Sequence, residues 1–486
     1  MPIYGKNSGE WDEIVQLYAN QKGVWVQVYE KYAIVRFVNY PYKIPTMKGW
    51  EYRFDEDTSW TTVTYDGMEL NTLGYTFTGY VRVKSPLVLS NYYNEMQYGI
   101  RSDGTSLSAG RSHLMSAYHR WSGKGYVCGG VQGSTGVSTV DVYESGNRTS
   151  GTALSVGRYE GSAFVLSNNG THICGGFTGS SYSNTVDKYD HYGNRTSGTA
   201  LSVARSRSTS FLINENLGHV CGGLVSGSEC SSAVDRYDDS GNRTTLTSLT
   251  TPVCYATAVG NPGTSVGYVV GGQTSSGTAT NKVEKYDYSG TKTTLTCNPG
   301  ARRCATGFTF NYKGYIFGGT ASGTSATSVT YNNTASIIDL NGNLTTITLT
   351  FGAIHPTSFV LSDRAYVCGG KNDSGAVSTI NMIDFNNNVT VGDPLSVGRY
   401  NTASFADTHS NDNAYVCGGT DGSSTRGIVD VYSRKRIAHL PIIGGSTYTL
   451  TRYDNNNTIT GTPSESETLH IDTMVTGTIN YEKGTI

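Results

Sequence analysis

Seven Gly-Gly pairs punctuate the chain, each closing a short apolar run: Gly129-Gly130, Gly175-Gly176, Gly222-Gly223, Gly271-Gly272, Gly318-Gly319, Gly369-Gly370 and Gly418-Gly419. They are spaced 46, 47, 49, 47, 51 and 49 residues apart, so one supersecondary unit is repeated seven times. Within the second copy the order is GSAFVLSN, THICGG, NTVDKYDH and NRTSGTALSV. Each run is apolar, aromatic or β-branched and is bounded by Gly, Asn or Ser, which reads as a strand; no stretch of the repeat sustains a 3.6-residue period. Between the third and fourth runs stand Gly146-Asn147, Gly193-Asn194 and Gly241-Asn242, residue types that tolerate the positive φ of tight hairpins. Antiparallel pairing follows.

Four antiparallel strands recurring at about 40 to 50 residues is the period of a β-propeller blade. A helical solenoid would need amphipathic helices, and unrelated sandwiches would not repeat so closely. A ring of sheets must join its ends or leave exposed edges. The segment Tyr98 to Arg111 (YGIRSDGTSLSAGR) matches Tyr192 to Arg205 (YGNRTSGTALSVAR) at eight of fourteen positions, so a fourth strand stands alone ahead of the first copy. After Tyr432 the last copy continues as SRKRIAHLPI, a poor fourth strand, so the seventh blade is expected to borrow the strand around Arg101 to Ser108. The predicted fold is all-β: a seven-bladed propeller over 96–440, with small β-rich modules at 1–95 and 441–486.

Composition narrows the function. Lys and Arg number 36 against 38 Asp and Glu, for a formal charge of -2, which removes the electrostatic footprint of a protein that grips nucleic acid by its phosphates. The opening MPIYGKNSGEWDE lacks a basic cluster followed by an apolar core, and nowhere do about 18 apolar residues run uninterrupted, so neither a signal peptide nor a membrane span is expected. Five of nine cysteines (Cys128, Cys174, Cys221, Cys368, Cys417) recur in the string CGG, a regularity of packing and not of a disulfide framework. Synthesis in a reducing cytoplasm fits, and a particle assembled there leaves by lysis without a secretion signal.

The repeats resemble kelch motifs, with an Arg opening the first strand, a Gly-Gly pair ending the second, and a Tyr thirteen or fourteen residues later. The Arg residues are Arg111, Arg158, Arg205, Arg303 and Arg399, and the Tyr residues are Tyr143, Tyr189, Tyr237, Tyr286 and Tyr432, with Leu340 and Phe385 in the remaining blades. The resemblance covers about 350 residues. It departs where kelch repeats carry a Trp soon after that Tyr, since Thr149, Thr196 and Thr244 stand here. If each blade runs down, up, down, up, the loops after the Gly-Gly pairs and the links carrying each Arg emerge on one face, the expected binding face. The residues two after the Arg position vary: His113, Glu160, Arg207, Tyr255, Ala305, Thr357 and Asn401. In kelch proteins that position lines the mouth of the central channel, so the resemblance makes these rim residues the binding candidates. No HExxH, Gly-x-Ser-x-Gly or Ser-x-Asp-x-Gly-x-Thr-Trp string occurs, and the Tyr and Cys that a copper oxidase would need are accounted for by repetition. Neither an enzyme, nor a metal, nor a cofactor is expected.

Residues 9 to 25 run from a Gly and Trp11 through Tyr-x-Asn-x-x-Gly-x-Trp to Trp25. That pattern resembles short segments near the amino termini of bacteriophage virion proteins, especially tail and fibre components. The carboxy-terminal strings STYTLTRYDNNNTITG and TLHIDTMVTGTINYEKG alternate Thr with apolar residues as β-hairpins do. The resulting expectation is a virion structural protein assembled in the bacterial host cytoplasm, a fibre or appendage subunit and a homo-oligomer. Its amino-terminal module would dock on other virion proteins, and its propeller would meet a host-surface glycan or protein. The alternatives are a bacterial carbohydrate-binding adhesin or lectin and, less favoured, a kelch-type oxidase.

Overall fold

The computed structural model describes, with side chains, residues 51–53, 58–64 and 98–434 apart from 169, 261–264, 323–328, 362 and 408–411; elsewhere it describes the backbone of strands. Two compact units divide the chain, 99–433 and 1–98 with 434–486.

The first unit is a seven-bladed β-propeller, as the period of the Gly-Gly pairs requires. Blade two shows the plan: Ser162–Leu166, Gly170–Cys174, Val186–Tyr189 and Arg195–Ser197 pair in that order, antiparallel throughout. The first strands of the blades are Met115–His119, Ser162–Leu166, Thr209–Ile213, Thr257–Gly260, Arg303–Phe310, Thr357–Leu361 and Ala403–Asp407. Each touches the next, and the last touches the first, which closes the ring. Second strands are buried on both sides (Gly170–Cys174 throughout), because neighbouring blades cover both faces of every sheet.

Seven repeats of one contact hold blade to blade. The amide of the second Gly in each pair donates to the carbonyl that opens the following blade: Gly130 to Arg158 (3.0 Å), Gly176 to Arg205 (2.8 Å), Gly223 to Val253 (2.8 Å), Gly272 to Arg302 (2.8 Å), Gly319 to Ala353 (2.8 Å), Gly370 to Arg399 (2.9 Å) and, across the seam, Gly419 to Arg111 (2.9 Å). A Cβ on the first Gly would stand 2.3 Å from that carbonyl oxygen at Gly129 and 2.5 Å at Gly222, so the approach leaves no room for a side chain.

The repeat Arg is a buried clamp. Arg158 donates through Nε to the Gly175 carbonyl (2.8 Å) and through a terminal nitrogen to Ile173 (3.0 Å), while another nitrogen meets Asp187 of the third strand at 2.7 Å. Asp187 also takes Arg195 of the fourth strand at 2.8 Å. The pairs Arg111–Asp141, Arg205–Asp235 and Arg399–Asp430 repeat this, all fully buried. The hydrogen bonds around guanidinium and carboxylate are what make these buried ion pairs tolerable, although Arg205 Nε, unlike that of Arg158, has no partner. The other blades change one side of the pair or both. Blade six has Ala353 and Asn381, blade four has Val253 and Glu284 with Lys292 at 3.6 Å, and blade five keeps an Arg opposite Ser336. The sequence points to Arg303 in blade five, but the buried guanidinium there belongs to Arg302, whose carbonyl makes the Gly272 contact; without a carboxylate, burial pushes it down to about 10. Arg303 opens the first strand instead.

The latch comes from the segment to which the sequence points, although its strand runs Tyr93–Asp103 and ends short of Ser108. Tyr93–Asp103 pairs with Val429–Ile442, the third strand of blade seven. Gly104 N–H donates to Val429 (2.8 Å) as Gly151 does to Val140 (2.9 Å) in blade one. Arg101 meets Asp430 at 2.9 Å, in the place that Arg195 takes beside Asp187. The Tyr143 hydroxyl donates to Thr105 (2.8 Å) as Tyr189 does to Thr152 (2.8 Å), so blade one packs on the borrowed strand as on any other blade.

In the second unit, a six-stranded antiparallel sheet runs Ile14–Leu17, Val24–Tyr29, Tyr32–Tyr40, Phe77–Lys84, Glu51–Phe54, Thr61–Thr62. Trp25 lies on its second strand; Trp11 lies outside the described residues. Tyr448–Thr451 and Thr458–Gly461 form a hairpin, as the alternation of Thr and apolar residues predicts.

Candidate functional site

Each link into a blade has the same three-residue construction. The clamp residue is followed by one that bridges to the strand beyond the Gly-Gly pair (Tyr159 to Phe177, Ser206 to Leu224, Ile354 to Lys371), and then by one in the left-handed region. The third residues are His113, Glu160, Arg207, Tyr255, Cys304, His355 and Asn401, with φ between 51° and 56°. Non-glycine residues rarely adopt this conformation, and seven in register mean that the scaffold imposes it. Their backbones form an annulus: Glu160 N–H donates to His113 (3.2 Å), Arg207 to Glu160 (2.7 Å), Tyr255 to Arg207 (3.1 Å), Cys304 to Tyr255 (3.2 Å), His355 to Cys304 (2.8 Å), and His113 to Asn401 (2.9 Å).

Five of these, His113, Glu160, Arg207, Tyr255 and Asn401, are the rim residues read from the sequence. In blades five and six the sequence reading is displaced: Ala305 lies within the strand Arg303–Phe310 and Thr357 opens Thr357–Leu361, while Cys304 and His355 hold the annular places. The adjacent Arg302 and Arg303 shift the register by one, and Ala353 gives blade six no Arg to count from. A β-branched Thr would also be costly at positive φ.

The side chains converge on the axis. Glu160 accepts from Arg207 Nε at 2.7 Å and lies 3.6 Å from His113 Nε2. The Arg207 guanidinium covers the Tyr255 ring at 4.7 Å, and Tyr255 of blade four meets His355 of blade six edge to face at 6.0 Å, spanning the gap between non-adjacent blades. Burial, reinforced by the nearby cations Arg207, Arg303 and Lys371, pushes His355 down to about 3, so its imidazole is neutral. His113 is lowered by burial too, against the pull of Glu160. The mouth thus presents cations, a carboxylate, neutral imidazoles and aromatic faces on a fixed frame, a set suited to recognising a polar ligand. Among the described residues no group of three or more His, Cys, Asp or Glu is placed to hold a metal ion.

Beside the mouth, Cys230 and Cys254 bring their Sγ atoms to 2.7 Å, both buried. Cys230 ends a small hairpin of blade three and Cys254 precedes Tyr255. Neither belongs to the CGG set, whose thiols are buried in the blades as the packing argument requires.

No protein-family model and no curated protein sequence matches the chain. Solved structures do match: YjhT, at a TM-score of 0.46 and 13% identity over 60% of this chain and 99% of that one, and a fungal alcohol oxidase of the AA5 family in complex with copper, at a TM-score of 0.51 and 13% identity over 80% of this chain and 99% of the oxidase. The oxidase corrects the expectation that this chain is not an enzyme. A propeller of this architecture carries an oxidase, and the structure gathers Tyr255, Cys304, His355 and His113 at the mouth, none of them among the recurring CGG cysteines or third-strand tyrosines, so repetition does not dispose of them. At this identity the likeness is one of fold.

Proposed function

We propose that the chain is a bacteriophage virion appendage subunit whose kelch-like propeller binds a polar ligand of the host surface, a glycan or a protein, at the mouth of its axis. The observation that carries the binding half is the annulus: the backbone is common to seven blades, whereas the side chains it displays are of six kinds, with only His used twice, and engage one another across the axis. What the fold needs is shared between copies; what differs serves something else. The virion half rests on the pattern from Trp11 to Trp25.

The binding half is tested by incubating the purified chain with host cells and with their extracted surface glycans. Binding that Arg207→Ala weakens at least tenfold supports it; binding unchanged by Arg207→Ala and by Glu160→Gln contradicts it. Antibody against the chain should label appendages on purified particles. Unlabelled particles together with labelled bacterial surfaces would favour an adhesin, and turnover of an alcohol or sugar with loaded copper would favour an oxidase.

A further inference from the structure

The turns that join first to second strands and third to fourth strands emerge at the end of the propeller remote from the mouth, because both pairings are antiparallel hairpins. Aromatic side chains are exposed there: Trp121 (47%), Tyr192 (72%), Tyr288, Tyr312 and Phe385. The blade interiors hide their Tyr residues almost completely, so this exposure is not asked for by the repeat.

At the boundary of blades one and two these turns enclose a cleft of about 250 Å³. His119 and Trp121 come from the first turn of blade one; Asn168, Lys188, Asp190 and His191 come from blade two. The indole is held ready. The Arg120 guanidinium lies over it at 4.4 Å and is itself fixed by Glu215 at 2.6 Å, while His119 packs edge-on at 5.9 Å. Ser122 fixes the His119 ring through Nδ1 at 2.9 Å. The His-Arg-Trp turn occurs in blade one alone; blade three has Asn214-Glu215 in the same place and blade two begins Ser167-Asn168.

We infer that this cleft binds one ring of a neutral saccharide, stacked on Trp121 and hydrogen-bonded by the polar groups of the blade-two turns. Its size is several times the ~30 Å³ share of one water, room for a sugar ring. One Lys and one Asp balance, which disfavours a charged ligand, and amide, imidazole and carboxylate supply donors and acceptors together. An indole with an open face suits the C–H face of a pyranose, apolar on one side and ringed by hydroxyls. This site lies at the other end of the propeller from the mouth and stands whether or not the mouth binds a ligand.

The test is saturation-transfer NMR of the full chain with glucose, galactose, mannose and N-acetylglucosamine at millimolar concentration, beside Trp121→Ala, Trp121→Phe and Arg207→Ala proteins of matched melting temperature. At least one sugar is expected to show transfer that Trp121→Ala abolishes, Trp121→Phe retains in part and Arg207→Ala leaves intact. No transfer from any of the four, transfer indifferent to Trp121→Ala, or transfer lost with Arg207→Ala would overturn the assignment; the last would move the sugar to the mouth.

Discussion

At the scale of the residue, the strongest constraint is the buried Arg–Asp clamp. Asp187 holds its proton less tightly than an ordinary carboxyl: burial opposes its charge, but Arg158 outweighs burial. Truncating Arg158 to Ala leaves Asp187 with Arg195 and the Ser155 amide and should cost about 3–5 kcal/mol, read from urea denaturation. Adding Asp187→Asn, which copies blade six, should recover part of that loss; a double variant less stable than Arg158→Ala would show that the carboxylate is not the destabilising group. The Arg and Gly of this clamp stand out in the sequence because they recur. The Asp recurs as well, in VDVY, VDKY and VDRY, yet its role shows only when the third strand is folded onto the clamp. The cysteine pair is illegible for the same reason, since 24 residues and a blade boundary separate Cys230 from Cys254. With a small disulfide as oxidant, which takes up the two electrons and two protons of the thiols, the two sulfurs should join. Mass spectrometry of the unreduced digest should find their peptides linked, and both thiols remaining open to alkylation would contradict the pairing.

At the scale of the element, the Gly-Gly pair sets how closely one blade approaches the next. Gly222 has φ +60° and faces the Val253 carbonyl, whereas Gly146, at φ +83° in a hairpin, has open space around it. Ala at Gly146 should therefore cost only its backbone strain, about 1–2 kcal/mol, and Ala at Gly222 clearly more, compared by urea midpoint. Equal costs would mean that the blade contact yields. Hairpins were legible from Gly-Asn, and the structure adds the reason they are rigid: Asp190 accepts the Tyr192 and Asn194 amides at 2.9 and 2.8 Å, and Asp238, Asp339 and Asp384 do the same in later blades. The annular residues were legible only by counting from an Arg, which is why the count slipped where Arg302 and Arg303 adjoin. The exposed aromatics of the remote turns follow no repeat, so no periodicity marks them in the sequence.

For the whole molecule, closure makes stability collective, and buried imidazoles make it sensitive to acid. Burial pushes His172 down to about 4 and His219 to about 3, each stacked on a Phe. An unfolded His titrates near 6.5, so as pH falls below about 6.5 the unfolded chain binds protons that the native chain refuses. Stability then rises with pH across this window and is lost on going down it, by about 2 kcal/mol per such group at pH 5. Calorimetry should show a melting temperature that falls from pH 7 to pH 5, and a shallower fall for His219→Phe; parallel curves for the two proteins would contradict the assignment.

The central claim is a ring of seven sheets whose last sheet is completed by a strand from ahead of the first. An experimental density map of the full chain tests it most directly. Seven sheets should surround one axis, with Gly104 bonded to Val429 and Arg101 against Asp430. Six or eight sheets, or a seventh whose fourth strand comes from residues after Tyr432, would contradict it.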